Sequence, residues 1–384
     1  MDQFAPEPSG PSRSLYRAVV QLCGNALDKG AARAKADHYV KNYPSRDFAL
    51  SLIFFFIMGL DSLRQLQIHL AEDSRLTRLI SMRGISTSHL PRLLRDRPPE
   101  LWAPLVAKLV DQLRPADEHT GVWAIDATTL TLGEKLLARM TGKQLKRQNA
   151  GAKLSAVVNL DDKRFEQVHI SMGSGHDAQF VGELLPADWE IDGLTFVFDR
   201  GYRSYPFYRD LIRRRAHFVT REAANDHFEP VQAISLDPAQ PAIIADEIGI
   251  LGGTALTDDE RMLVRRVVKR CGDGKELVFF TTRLDLSAAD VAALYEKRWV
   301  VEIFFRWLKS NIHLKRPLGY TLQATMHTIY AALVAYCLGL LLAEWTPSQT
   351  TKRLVPRIAS AIQRLRARLY EKPKPDELRA LGFL

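Results

Sequence analysis

Apolar and polar positions repeat with different periods in different parts of the chain. From about residue 26 to residue 113, apolar residues recur at helical spacing with few strand-like runs. The segments that this pattern predicts as helices are 31–40, 45–59, 61–71 and 73–80. From Val122 onward, short apolar runs typical of strands alternate with helical segments. The pattern predicts a helical N-terminal region followed by an α/β core.

The α/β region reads as three strands, a helix, a strand, a helix and a strand, which indicates a sheet of mixed direction. The predicted strands are VWAIDATTLTL, KLSAVVNL, FEQVHISMG, LTFVFDRGY and HFVTRE, and the predicted helices are 177–185 and 205–215. From about Glu222 to Phe280 the pattern becomes irregular and strand-rich. A block of this length and different character predicts an inserted β subdomain.

A second helical segment follows the insertion. Ser287 with Asp290 three residues later predicts a helix start, and YEKRWVVEIFFRWLK, residues 295–309, continues it. On one α-helix, four polar side chains of this segment would fall within roughly 60° of one another: Tyr295, Arg298, Glu302 and Lys309. Such a stripe is often only a solvated face. A carboxylate framed by cations also suits phosphodiester chemistry, so both interpretations remain open.

Basic helices occur near both ends of the chain. Ser86 or Ser88 can cap a short helix that carries Arg92 and Arg95, and two prolines block its continuation. This helix is either a DNA-recognition helix or a surface connection between bundles. A further basic amphipathic helix is predicted in the C-terminal tail.

Composition narrows the class of protein. Among 384 residues, 46% are hydrophobic and 25% are charged, as in ordinary globular proteins. The formal charge of +9 favours a polyanionic partner. Three widely spaced cysteines form no CxxC pair, which argues against a disulfide framework or a thiolate zinc site and suits a reducing compartment. The N-terminus lacks an apolar signal core and is expected to be a short disordered lead.

One apolar stretch raises the question of whether the chain spans a membrane. Residues 317–343 contain no Lys, Arg, Asp or Glu and are long enough to cross a bilayer. The first half is polar, however, and His327 lies within it. A buried helix behind a catalytic sheet explains the stretch better, and no membrane partner is expected.

Two aspartates stand where catalytic groups gather in α/β folds. Asp126 and Asp199 each end a buried apolar strand. If these strands are neighbours, both carboxylates can reach one ion, and Glu302 can supply a third. Three carboxylates suit Mg²⁺ or Mn²⁺, and two such ions about 4 Å apart support phosphoryl transfer. An isolated Asp at a strand end is often only a turn former.

The spacing of these residues resembles one enzyme family. The family's pattern consists of Tyr, two residues, Arg, three residues, Glu, six residues and Lys. Tyr295, Arg298, Glu302 and Lys309 have this spacing, and Asp199 begins a DRGY sequence. The chain resembles DDE transposases of the insertion-sequence-four family over roughly residues 122–342. The core of that family resembles ribonuclease H and retroviral integrase.

The resemblance implies a role for each residue. Asp126, Asp199 and Glu302 would be the catalytic residues and would ligate two Mg²⁺ ions, with Mn²⁺ as a substitute. The residues that would contact DNA are Tyr295, Arg298, Trp299, Lys309, Arg221, Arg92 and Arg95. Trp299 could instead be a core residue. Phe228, Phe279 and Phe280 are candidates to receive a flipped base, and the basic segment 135–153 would follow the DNA backbone.

The resemblance also implies an organisation and an activity. A ribonuclease H-like mixed sheet would be interrupted by a β-rich insertion and flanked by helical regions. The expected divisions are a lead (1–25), a helical DNA-binding domain (26–118), the core (119–221), the insertion (222–283), the second part of the core (284–345) and a helical tail (346–384).

The expected activity is cut-and-paste transposition of an insertion sequence by a homodimer, with the C-terminal helices as its dimer surface. The partners would be terminal inverted repeats and target DNA, in the cytoplasm of a bacterium at the nucleoid. Two alternatives remain: a catalytically inactive DNA-binding derivative, and a general nuclease with the same core. Intact acidic residues argue against the first, and cleavage restricted to terminal repeats would exclude the second.

Overall fold

The computed structural model describes residues 14–38, 40, 42–114, 121–131, 151–172, 177–252, 257, 261–311, 318–319, 321–344 and 354–383. These residues form two compact units. Among the described residues, those up to 114 and from 307 onward form the helical unit, and those in 121–131 and 151–306 form the sheet unit. The basic segment proposed to follow DNA lies outside the described residues up to residue 150.

The helices are α1 (Leu15–Arg33), α2 (Ser45–Met58), α3 (Leu63–Glu72), α4 (Ser74–Thr77), α5 (His89–Asp96), α6 (Ala103–Leu113), α7 (Val181–Leu184), α8 (Tyr205–Arg213), α9 (Ala288–Lys297), α10 (Trp299–Asn311), α11 (Leu322–Glu344), α12 (Leu354–Arg368) and α13 (Pro375–Ala380). The strands are β1 (Val122–Thr131), β2 (Gly151–Asn159), β3 (Phe165–Met172), β4 (Thr195–Phe198), β5 (His217–Arg221), β6 (Phe228–Ala233), β7 (Ile243–Leu251), β8 (Met262–Arg270) and β9 (Glu276–Thr281).

The sheet unit contains one mixed sheet of nine strands, in the order β3-β2-β1-β4-β5-β9-β8-β7-β6. β4 lies parallel to both β1 and β5, and every other neighbouring pair of this sheet is antiparallel. The predicted succession of three strands, helix, strand, helix and strand is found as β1 to β5. The α/β class with a mixed sheet is therefore confirmed.

The predicted separate insertion subdomain is wrong in one respect, because residues 222–283 extend the main sheet. β9 pairs with β5, and β8, β7 and β6 continue outward from it. β6 was not predicted. Five of its six residues are exposed, so it carries no apolar alternation that would mark it as a strand.

The two faces of the sheet are covered differently. On one face, Phe196, Phe198, Phe218 and Phe280 form a core with residues of α7 and α8. Because side chains alternate along a strand, the intervening residues point to the other face. α9 packs on that face, where Glu296 pairs with Lys269 of β8 at 2.6 Å. This second face carries the functional candidates.

The helical unit is built around α11. This helix contacts α2, α5, α6 and α12, which surround it on several sides. It is long and apolar enough to cross a membrane, but 83% of its apolar window is buried inside the protein. That burial is typical of a core helix. The prediction of a buried helix is confirmed, and the helix belongs to the helical unit.

The N-terminal boundaries also differ from the prediction. α1 begins at Leu15, where Ser14 accepts a hydrogen bond from the Arg17 N–H at 3.2 Å. A disordered lead extending to residue 25 is therefore wrong. The helix predicted for 31–40 is also wrong: α1 ends at Arg33, and Lys35 adopts a left-handed φ of 51° that interrupts helical geometry.

Candidate functional site

Strand register places the two aspartates side by side. Ile125 of β1 pairs with Phe198 of β4, and Asp126 and Asp199 are the next residues along these parallel strands. Neighbouring strands lie about 4.8 Å apart, so the two carboxylates lie close together where β1 continues past the end of β4. The prediction that Asp126 ends its strand is wrong, because β1 runs on to Thr131 and Asp126 pairs with Ala156 of β2. On the other side of β4, Phe198 pairs with Thr220, which brings Arg221 into the same row.

Local hydrogen bonds orient both carboxylates. Asp126 accepts a hydrogen bond at Oδ1 from the Ala127 N–H at 2.8 Å. Asp199 caps the short 3₁₀ segment Arg200–Tyr202 and accepts from the Arg200 N–H at 2.8 Å. Each side chain is therefore fixed to the backbone that follows it.

The helical segment beyond the insertion is two helices, not one. Ser287 caps α9 as predicted, accepting from the Asp290 N–H at 3.1 Å. α9 ends at Lys297 and α10 begins at Trp299, with Arg298 as a turn residue between them. The Arg298 N–H donates to the Tyr295 carbonyl at 3.1 Å, three residues back. Because this spacing is that of a 3₁₀ turn, the prediction of one uninterrupted helix is wrong.

Tyr295 and Arg298 nevertheless contact all three acidic residues. The Tyr295 hydroxyl donates to Asp199 Oδ1 at 3.1 Å. Arg298 donates from Nη1 to Asp126 Oδ2 at 2.9 Å and from Nη2 to Glu302 Oε1 at 3.2 Å. We call these five residues the strand-end site.

The electrostatics of the strand-end site favour one protonation state at neutral pH. Burial, reinforced by the nearby Asp199 carboxylate, raises the pKa of Tyr295 to about 12, so its hydroxyl remains a donor. Burial opposes the charge on Arg298, but the carboxylates around it, with Asp126 foremost, outweigh burial and raise its pKa. The guanidinium therefore remains charged.

The donor set of the strand-end site suits a hard divalent cation. Carboxylate oxygens are preferred ligands of Mg²⁺ and Mn²⁺, and Asp126 within β1 is adjacent to Asp199, which follows β4. Within the described chain, no three His, Cys, Asp or Glu side chains are already gathered closely enough to hold a metal. The Arg298 guanidinium lies between Asp126 and Glu302 and supplies the positive charge that a cation would bring.

α10 carries two further predicted DNA contacts. Trp299 is 55% exposed, so its interpretation as a core residue is wrong. The Arg306 guanidinium lies 6.0 Å from the Trp299 ring centroid. Lys309 is exposed on the same helix, about two turns beyond Glu302. Val301, Phe304 and their apolar neighbours form the buried face that the pattern predicted.

The three phenylalanines considered for base capture have packing roles. Phe279 and Phe280 are fully buried. The Phe279 ring lies 5.1 Å from the Tyr295 ring and supports it from the sheet. Phe228 is half-buried and packs against Phe280 at 5.6 Å. Phe279 and Phe280 are therefore inaccessible for stacking on a base, whereas Phe228 is partly exposed.

The short basic helix predicted around Arg92 and Arg95 is present as α5. Arg92 and Arg95 are both exposed on it, and Arg95 pairs with the adjacent Asp96. Ser88 occupies the N-cap position, but its hydroxyl makes no cap hydrogen bond. These arginines belong to the helical unit, whereas the strand-end site belongs to the sheet unit.

The apolar face of the C-terminal helix α12 packs within the helical unit. Ile362 and Leu365 on the apolar face of α12 are 8% and 1% exposed, and α12 packs on α11 and α2 of its own chain. This apolar face is covered within the chain, and the dimer surface expected at the C-terminal helices stays a prediction.

Sequence reasoning missed the direct contact between Arg298 and the acidic residues. The spacing of four between Arg298 and Glu302 was a usable signal, because side chains four apart on a helix meet. No signal of this kind connects Arg298 with Asp126, which lies 172 positions away.

Comparison with known proteins gives concordant matches. A family model described as "Transposase DDE domain" matches residues 118–338, more than half of the chain. A Sinorhizobium fredii protein named as a transposase (y4zB) is 25% identical over 247 residues, covering 63% of this chain and 67% of that protein.

Two further relatives carry similar names. A Geobacillus stearothermophilus protein named as a transposase for insertion sequence element IS5377 is 27% identical over 60% of this chain, and the match spans 57% of that protein. A Synechocystis protein named as a transposase for insertion sequence element IS4SA is 21% identical over 82% of this chain and 88% of its own length.

Proposed function

This chain belongs to the DDE transposase family, and we propose that it moves an insertion sequence by cut-and-paste transposition at the strand-end site. The observation that carries the proposal is the row formed by Asp126 and Asp199, with Arg298 joining Asp126 to Glu302. Metal-assisted cleavage of a phosphodiester uses such a group of acidic residues beside cations that can hold phosphate.

Asp126, Asp199 and Glu302 would hold two Mg²⁺ ions, or Mn²⁺ in their place. When bound, these ions activate the attacking oxygen and stabilise the leaving oxygen of a phosphodiester. The protein contributes the fixed placement of the two aspartates side by side, on β1 and directly after β4, and the placement of Glu302 on α10.

The cationic and aromatic residues would position the DNA. Tyr295 and Arg298 would hold phosphates of the strand being cut, with Arg221 in the adjacent row position. Lys309 would contact the terminal strand. Trp299, whose ring is exposed, would stack on a displaced base.

The chemistry would proceed by successive in-line displacements at one site. Water attacks the phosphodiester at a transposon end and releases a 3′-hydroxyl. That hydroxyl attacks the opposite strand to form a hairpin, which water reopens, and the free end then joins target DNA. No covalent protein–DNA intermediate is needed.

The remaining surfaces would recognise and pair the ends. Arg92 and Arg95 on α5 would contact DNA in the terminal inverted repeats, with their phosphate contacts giving affinity and salt sensitivity. Pairing of two ends implies a homodimer at the bacterial nucleoid.

Cleavage of duplex DNA carrying the element's own flanking ends tests this proposal. Wild-type protein with Mg²⁺ should nick at the ends, whereas Glu302→Gln should lose nicking and keep DNA binding. Glu296→Gln is the matched control, because Glu296 is an exposed glutamate of α9 that pairs with Lys269. It should nick as wild type does.

Other outcomes identify the alternatives. Binding without nicking by the wild type would indicate an inactive DNA-binding derivative, and nicking of unrelated duplexes at equal rates would indicate a general nuclease. Equal nicking by Glu302→Gln and wild type would contradict the assignment of Glu302.

A further inference from the structure

Arg298 makes contacts that compete with metal binding. Its two terminal nitrogens donate separately to Asp126 and Glu302, at 2.9 and 3.2 Å. Any cation that uses the same carboxylate oxygens must displace these donors. The arginine is only 16% exposed, so water does not fully screen its attraction to the two carboxylates.

One hydrogen-bond donor of Arg298 is left unused by these contacts. Among the described residues, its buried Nε has no hydrogen-bond partner. A guanidinium can donate five hydrogen bonds, and an unsatisfied buried donor is costly. The bridging position therefore leaves part of the hydrogen-bonding capacity of Arg298 unused.

The backbone at Arg298 also favours movement. This residue lies between α9 and α10, where both the Arg298 and the Val301 N–H bond three residues back instead of four. A 3₁₀ stretch between helices is a common position for a hinge. A small rotation there would carry the guanidinium away from the carboxylates without disrupting either helix.

We propose that Arg298 is an internal counter-ion that occupies the strand-end site in place of metal and must leave Asp126 and Glu302 before a divalent cation binds both. This inference rests on the proposed function, since it assigns the same acidic residues to metal. A DNA phosphate that attracts the guanidinium would then raise the affinity for metal by removing its competitor. Metal loading and DNA engagement would be coupled through one side chain.

Mn²⁺ binding to the DNA-free protein, followed by electron paramagnetic resonance, tests the competition directly. Arg298→Gln should bind Mn²⁺ about tenfold more tightly than wild type, a magnitude within the usual range for coupled ligands. Mn²⁺ should also raise its Tm by more than that of wild type. Arg298→Lys should lie between the two, because a single ammonium group is poorly suited to bridge both carboxylates.

Arg221→Gln is the matched control. Arg221 is another arginine of the row but has no place between Asp126 and Glu302. If general charge removal explained the effect, this variant would tighten Mn²⁺ binding equally and the proposal would be overturned. Unchanged or weaker binding by Arg298→Gln would overturn it too. If Arg298→Gln does not fold, Arg298→Lys serves as the test variant. A Mn²⁺ affinity of Arg298→Lys equal to that of wild type would then overturn the proposal.

Failure of the proposed function has a separate signature. If neither wild type nor Arg298→Gln binds Mn²⁺, the acidic residues hold no metal and the proposed function fails. If wild type binds Mn²⁺ through Glu302, as shown by loss in Glu302→Gln, while Arg298→Gln gains nothing, only the competition is wrong.

Discussion

Acidification should destabilise the helical unit through one buried residue, His327, and a glutamine at this position should remove that sensitivity. His327 lies on α11 with no exposed surface. Its Nδ1 accepts a hydrogen bond from Trp102 Nε1 at 2.8 Å, and its Nε2 lies 3.0 Å from the Arg97 carbonyl oxygen. This pattern fits the neutral ring, with Nε2 as the donor to Arg97.

The magnitude follows from the pKa of His327. Burial, with a smaller contribution from the Arg97 guanidinium, lowers the pKa to about 4, against about 6.5 in an unfolded chain. A depressed folded-state pKa means that the stabilisation is fully present above pH 6.5. It is lost as the pH falls towards 4, where the difference amounts to about 3 kcal/mol.

Urea unfolding of wild type and His327→Gln at several pH values between 7.5 and 4 measures this effect. A glutamine amide can accept from Trp102 and donate to Arg97 but does not titrate in this range. Other acidic groups contribute equally to both proteins, so the difference between the two curves isolates His327. Parallel curves across this pH range would refute the reasoning.

Two other substitutions probe the sheet unit. Trp299→Ala should lower the free energy of unfolding by less than the about 3–5 kcal/mol that truncation of a buried tryptophan costs, because the ring is 55% exposed, yet it should reduce nicking of transposon ends. A large loss of stability in thermal denaturation would show that Trp299 is a core residue. Asp246→Ala should lower the free energy of unfolding by about 3–5 kcal/mol, because the buried Arg265 guanidinium loses its carboxylate partner. Arg265 donates to the two Asp246 carboxylate oxygens at 2.7 and 2.6 Å. The exposed Asp273, paired with Lys275, is the control, and an equal loss in Asp273→Ala would contradict the burial argument.

Much of the strand-end site could be predicted because its signals are local. Asp126 and Asp199 follow continuous apolar runs, which are typical of buried parallel strands. The spacing of Tyr295, Arg298 and Glu302 is likewise visible in the sequence. The adjacency of β1 and β4 is not local, since it depends on which strands pair across the chain.

Other features leave no mark in the sequence. No glycine or proline occurs at the junction of α9 and α10, so nothing predicts the turn at Arg298. The apolar character of α11 shows that it is buried but not which elements surround it. The exposed strand β6 lacks the alternation by which half-buried strands are found.

The location of the metal is the most direct test of the account. Fe²⁺ can replace Mg²⁺ at carboxylate ligands and, with ascorbate, cleaves the polypeptide backbone close to where it is bound. We predict fragments that end near Asp126, Asp199 and Glu302, all suppressed by excess Mg²⁺. Fragments that Mg²⁺ suppresses but that end elsewhere, or near one of these residues alone, would contradict a site shared by the three acidic side chains.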